Sequence, residues 1–114
     1  GFKYGVPAES NLVYDLRFLP NPHFIPALKA FDGRNSLVQD YLFAQQPVQD
    51  YWLLLTNFLH FTLTQFYEEG RFFVTVAIGC TGGKHRSIAF AEKLGKQEWR
   101  GIRFLTIHRD LGKE

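Results

Sequence analysis

Val74-Thr75-Val76-Ala77-Ile78-Gly79-Cys80-Thr81-Gly82-Gly83-Lys84-His85-Arg86-Ser87 reads as a strand that runs through a glycine-rich loop into a helix. From Phe72 to Ile78 only Thr75 is polar, the pattern of a strand covered on both faces, as in parallel sheets. After the loop, Ile88, Ala89, Phe90, Ala91 and Leu94 place apolar residues on a helix over about residues 84–99. Ile102 to Thr106 and Ile107 then read as a final strand.

Upstream, Val48, Trp52, Leu55, Leu59, Leu63 and Phe66 step by three and four, which predicts a long helix over about 47–69. Pro47 suits its first turn and Gly70 its end. A shorter helix over about 36–44 is expected to be capped by Ser36. Leu12 to Phe18 is rich in strand formers, with Leu12, Tyr14, Leu16 and Phe18 on one face and Val13, Asp15 and Arg17 on the other. Pro20 and Pro22 stop it, and residues 24–35 read as irregular, with Asp32-Gly33 as a breaker. Gly1 to Gly5 could be an edge strand. The order predicts an α/β fold: a small parallel or mostly parallel sheet with right-handed βαβ crossovers.

The totals bound the answer further. The chain has 114 residues, enough for one domain with its own core. Hydrophobic residues make up 46% and mean hydropathy is -0.16, which excludes disordered and fibrous classes. Net charge is +2, too weak a basic balance to indicate nucleic acid by itself. The 12 phenylalanines are read as core residues, with a sticky partner surface as the alternative. One cysteine permits no intrachain disulfide and fits a reducing, cytoplasmic compartment. The longest apolar run, Tyr51 to Leu55, is too short to span a bilayer, and no signal peptide is read. A first residue of Gly fits a domain cut from something longer.

In a parallel α/β sheet, ligands bind outside the carboxyl ends of the strands. Three features fall at that edge: the loop 79–87; Asp15 and Arg17 followed by Asn21 and His23; and His108 with Arg109 after the last strand. Glycines at 79, 82 and 83 free the backbone so that successive N–H groups can converge on one anion. A helix N-terminus adds partial positive charge, and Lys84, Arg86 and His85 add potential full charges. Thr81 and Cys80 belong to the same loop, and Ser87 can cap the helix or accept from the loop.

The spacing is also Cys-x-x-Gly-x-x-Arg-Ser, in which a low-pKa thiolate could attack phosphorus, with Asp15 as a general acid. It is not a Walker A loop, because Lys84 is followed by His85. His60, mid-helix, reads as structural, and scattered histidines with one cysteine argue against a metal site; no cofactor is expected.

Gly1 to Gly5, Asp15 to His23 and Val74 to Ser87 closely resemble the C-terminal domain of the RapZ family of RNase adapter proteins. The resemblance covers nearly the whole chain. It implies a phosphofructokinase-like fold, sensing of an amino-sugar phosphate such as glucosamine 6-phosphate, binding of small regulatory RNA presented to an endoribonuclease, and a homo-oligomer. It marks Asp15, His23, Cys80, Thr81, Gly82, Lys84, His85 and Arg86 as ligand contacts. The family's N-terminal P-loop kinase-like domain is absent from this chain, so its nucleotide hydrolysis does not carry over. RNA-binding relatives end in a basic run, whereas residues 108–114 here carry two cations and two anions beside His108.

The expected function is a non-enzymatic regulatory module, residues 1–114 as a single domain, that binds a phosphorylated metabolite and no membrane. Asp15, Arg17, Asn21, His23 and residues 80–87, Gly83 and Ser87 included, would contact the ligand. His108, Arg109 and Lys113 are candidate RNA contacts. RNA binding as the main role, with aromatic side chains stacking on bases, and a cysteine-dependent phosphatase using Cys80 and Arg86 are the alternatives.

Overall fold

The computed structural model describes residues 1–113. Two strands, β1 (Leu12–Asp15) and β2 (Val76–Gly79), pair in parallel with Leu12 opposite Val76 and Asp15 opposite Gly79. They are joined by two helices, α1 (Ser36–Phe43) and α2 (Gln46–Glu68), and β2 leads into α3 (Arg86–Gly95). The architecture is therefore α/β with one crossover connection. Short 3-10 turns occupy Phe2–Tyr4 and Pro22–Phe24.

The expected elements shift where local chemistry intervenes. Asn35, not Ser36, caps α1: its side chain accepts from the Leu37 N–H at 2.8 Å. Pro47 does sit in the first turn of α2, and Gly70 follows its end with φ +87°. The first residues form a 3-10 turn rather than an edge strand, because Phe2 and Lys3 donate to the Cys80 and Thr81 carbonyls at 2.8 and 3.3 Å and lie along the loop. Residues 102–107 form no strand; Thr106 lies against Gly95 at the end of α3. Nor is the segment before β2 covered on both faces: Phe72 and Phe73 are 69% and 96% exposed.

The alternation in β1 decides what faces the helices. Leu12 and Tyr14 turn toward the core, as do their register partners Val76 and Ile78, while Val13 points out. Leu16, Val38, Leu42, Val48, Leu55 and Leu59 are buried together around Phe90, whose ring stacks on Phe43 at 5.4 Å and meets the Trp52 edge at 5.6 Å. The phenylalanines are not a core set. Phe90 alone is fully buried, and Phe18, Phe24, Phe31, Phe58, Phe61, Phe72 and Phe73 are exposed. No helix among the described residues is long and apolar enough to cross a membrane.

Candidate functional site

Parallel pairing puts the carboxyl ends of β1 and β2 side by side. Leu16 extends the pairing by one bond, its N–H donating to the Gly79 carbonyl at 2.8 Å. The chain leaving β1 and the loop leaving β2 thus start from the same edge. The Phe2 ring packs on Gly79, 2.6 Å from where a Cβ would sit, so a side chain there would displace that ring. Gly83 has φ +74° and is buried, a conformation that reserves the position for glycine.

Arg86 opens α3 and is only 4% exposed. Its Nη1 donates to the carbonyls of Arg17 and Leu19 at 2.8 and 3.0 Å, with Leu16 at the 3.5 Å limit. Its Nε is buried and has no hydrogen-bond partner. One side of the guanidinium thus fastens the segment that follows β1. An unpartnered N–H on a buried cation is costly in isolation and marks a position that suits an anion.

Cys80 lies at the base of the loop, 3% exposed, with Sγ 3.3 Å from Ser87 Oγ. Burial pushes its thiol up. The Ser87 hydroxyl, the Ser87 and Gly83 backbone N–H groups and the Arg86 charge outweigh this and bring it below its ordinary value. Ser87 therefore serves the thiol and makes no side-chain cap on α3. Thr81 is exposed, and its carbonyl accepts from Lys3.

His85 departs from the cationic role expected for it. Burial pushes its imidazole below the ordinary value of 6.5, aided by the charges of Lys84 and His23 and opposed by the Phe31 and Leu28 carbonyls. The ring is 5% exposed, neutral at pH 7, and its Nε2 has no partner. Lys84 lies in the loop, with Nζ donating to the Lys29 carbonyl at 3.0 Å.

Asp15 and Arg17 meet in a bidentate pair, Nη2 to Oδ2 at 2.6 Å and Nε to Oδ1 at 3.0 Å. The bonds from the Arg17 side chain and backbone, then the charges of Arg17 and Arg86, hold the Asp15 carboxyl below its usual range. Asp15 is thereby kept ionised, able to accept a hydrogen bond but unsuited to the general-acid role. Asn21 uses its side-chain oxygen to accept from the His23 N–H at 3.1 Å, which sets up the Pro22–Phe24 turn. His23 is exposed, edge-on to Phe24. The His60 ring packs on Trp99 at 4.8 Å, consistent with a structural role.

The tail cations are spoken for. Arg109 and Lys113 both bind Asp110, whose side chain is 2% exposed, and Arg109 also donates to the Gly5 carbonyl. His108 sits 3.6 Å from Glu92. Arg109 and Lys113 are thus engaged within the chain, while His108 stands beside Glu92.

Sequence reasoning missed a second wall of the loop. A cavity of about 290 Å³ is lined by Gly82, Gly83 and Lys84 of the loop and by Asp32, Arg34, Asp110, Leu111 and Gly112. Arg34 is paired with Asp32 at 2.9 Å. Of these residues the sequence marked only Asp32-Gly33, as a breaker. Its link to the loop is the Gly33 N–H, which donates to the Lys84 carbonyl at 2.8 Å.

Comparison with known proteins finds relatives along the full length of this chain. A "Nucleotide-binding protein" of Rhodococcus opacus (strain B4) is 46% identical over 118 residues, covering 100% of this chain and 38% of that protein. One of Streptomyces griseus is 45% identical over 115 residues, with 35% of its length covered, and one of Frankia casuarinae 46% identical with 40% covered. The chain thus spans well under half the length of these relatives. The family described as the RapZ C-terminal domain matches residues 1–112, and the chain belongs to that family.

Proposed function

We propose that this chain is a regulatory binding module that takes a phosphorylated metabolite, of the amino-sugar phosphate class that includes glucosamine 6-phosphate, on the loop 80–87. The observation that carries the reading is Arg86, a buried guanidinium whose Nη1 is anchored on main-chain carbonyls and whose Nε has no partner. A phosphate oxygen would supply that partner, beside the Lys84 charge and the N-terminal amides of α3. The ionised Asp15 would accept from a hydroxyl or ammonium on the sugar, and His23 would face the same group across the strand ends. In a longer protein of this family, occupancy of the loop would bias contacts with RNA or with an endoribonuclease.

Calorimetric titration with glucosamine 6-phosphate, glucosamine and inorganic phosphate tests it, using wild type, Lys84→Ala and Arg86→Lys. Binding of the sugar phosphate alone, weakened in both variants, is the expected result. Binding of none of the three would sink the reading.

RNA as the principal ligand is a second reading. It is favoured by Phe18 and Phe24, 65% and 77% exposed on the segment that Arg86 fastens, where rings could stack on unpaired bases. It predicts RNA affinity that falls steeply with salt. Affinity insensitive to salt would remove it.

A further inference from the structure

A loop that only binds phosphate needs no sulfur at its base, yet this fold spends several groups on Cys80. The Ser87 hydroxyl lies 3.3 Å from Sγ and leaves α3 without a side-chain cap. The N–H groups of Ser87 and Gly83 bear on the same sulfur, and with the Arg86 charge they favour its thiolate in spite of burial. Arg86, six residues on, points independently to an anion at the same place. It is 4% exposed, its Nη1 is held by main-chain carbonyls, and its Nε has no partner. Its charge is felt by the Cys80 thiol and by the Asp15 carboxyl, so it stands between the loop and the end of β1.

The chemistry of the leaving group selects the substrate. Asp15 is held ionised by Arg17 and has no proton to give. His85 is buried and held neutral. Neither serves a departing alkoxide, which needs an acid to protonate it. An alkyl phosphate, an amino-sugar phosphate included, is therefore held intact. A phosphoryl donor whose leaving group is a weak base needs no such acid, and an acyl phosphate, which departs as a carboxylate, is of that class.

We propose that Cys80 takes the phosphoryl group of an acyl phosphate and passes it to water. The sulfur bonds to phosphorus as the bond from phosphorus to the acyl oxygen breaks, and the carboxylate leaves with that electron pair. Water then attacks phosphorus and the S–P bond breaks. The thiolate is restored, and inorganic phosphate and a proton are released. Arg86 Nε holds the phosphoryl oxygens through both steps. The Ser87 hydroxyl stabilises the sulfur as it leaves phosphorus. This inference rests on the reading of the loop as a phosphate site and adds a covalent step to it.

Release of phosphate from acetyl phosphate by the 114-residue chain, with a metal chelator present, tests it. Wild type is expected to turn over, Cys80→Ser to match buffer alone, and Arg86→Lys to be slower by roughly 100-fold. In Ser87→Ala the second step slows, so acid quenching and mass spectrometry should find a phosphoryl group on the peptide that contains Cys80. That measurement keeps the thiol, so the test does not hang on the folding of Cys80→Ser. Glucosamine 6-phosphate should inhibit competitively and remain uncleaved. No turnover above buffer by wild type overturns the inference, and so does equal turnover by Cys80→Ser. Calorimetric binding of the sugar phosphate without acetyl phosphate turnover removes the covalent step and leaves the binding reading standing. Turnover without sugar-phosphate binding supports the covalent step and removes that reading alone.

Discussion

The guanidinium of Arg86 is bonded to the main chain of Arg17: Nη1 lies 2.8 Å from the Arg17 carbonyl oxygen. The two residues are far apart in sequence, and the bond closes the site edge from β1 to α3. Loss of this group would strand buried carbonyls as well as remove a charge. Arg86→Ala should therefore cost about 2–4 kcal/mol in urea denaturation. Arg86→Lys should recover part of that, since one ammonium can still reach a carbonyl. It should not recover anion affinity, because the lysine has no fork. Equal stability of the two variants would contradict the account.

The thiol of Cys80 should ionise earlier than a free cysteine, whose ordinary value is 9.0. Thiolate absorbance near the far ultraviolet, followed against pH, reads this directly. Ser87→Ala removes the first-named stabilising partner and should move the titration upward. Coincident curves for wild type and Ser87→Ala would show that the hydroxyl does not act on the sulfur.

His85 predicts a pH dependence of stability. In the unfolded chain its imidazole takes a proton near 6.5, while in the folded chain burial resists protonation. Below that pH the unfolded state binds more protons, so stability contributed by neutral His85 is present above 6.5 and lost as pH falls toward the lower folded value. Wild type should lose more stability than His85→Gln between about pH 7.5 and about pH 5. Parallel losses in the two proteins would place the titration elsewhere.

Gly83, buried at φ +74°, should not accept alanine. The left-handed backbone costs about 1–2 kcal/mol for a residue with a Cβ. The added Cβ would also lie 2.5 Å from the Gly1 nitrogen and 3.3 Å from the Asp110 Cβ. Gly101, at φ +80° with open space around it, should pay the backbone cost alone. Thermal melts of Gly83→Ala and Gly101→Ala separate the two contributions.

Helix periodicity and loop chemistry were readable in the residues themselves. The spacing of Val48, Leu55, Leu59 and Leu63 located α2 to within a residue or two, since its periodic face is the one buried. The strand-to-helix loop was legible because glycines and a following helix are local signals. Strand ends were not. Leu12 to Phe18 looks uniformly strand-forming, yet Arg86 captures the carbonyls after Leu16 and pulls the chain away. Residues 102–107 alternate like a strand without pairing, because alternation records a half-buried face and not a neighbour. The charge state of His85 and the pairing of Arg17 with Asp15 depend on contacts that no spacing encodes.

Gly33 has a different consequence. A side chain there would lie 2.3 Å from the His85 carbonyl oxygen and 2.4 Å from the Ala89 nitrogen, so backbone meets backbone. The loop before α1 and the first turn of α3 therefore move as one piece. The floor of the site is finished before any ligand arrives, and its amides should exchange with solvent slowly in the empty protein. During divergence, position 33 has a single admissible letter.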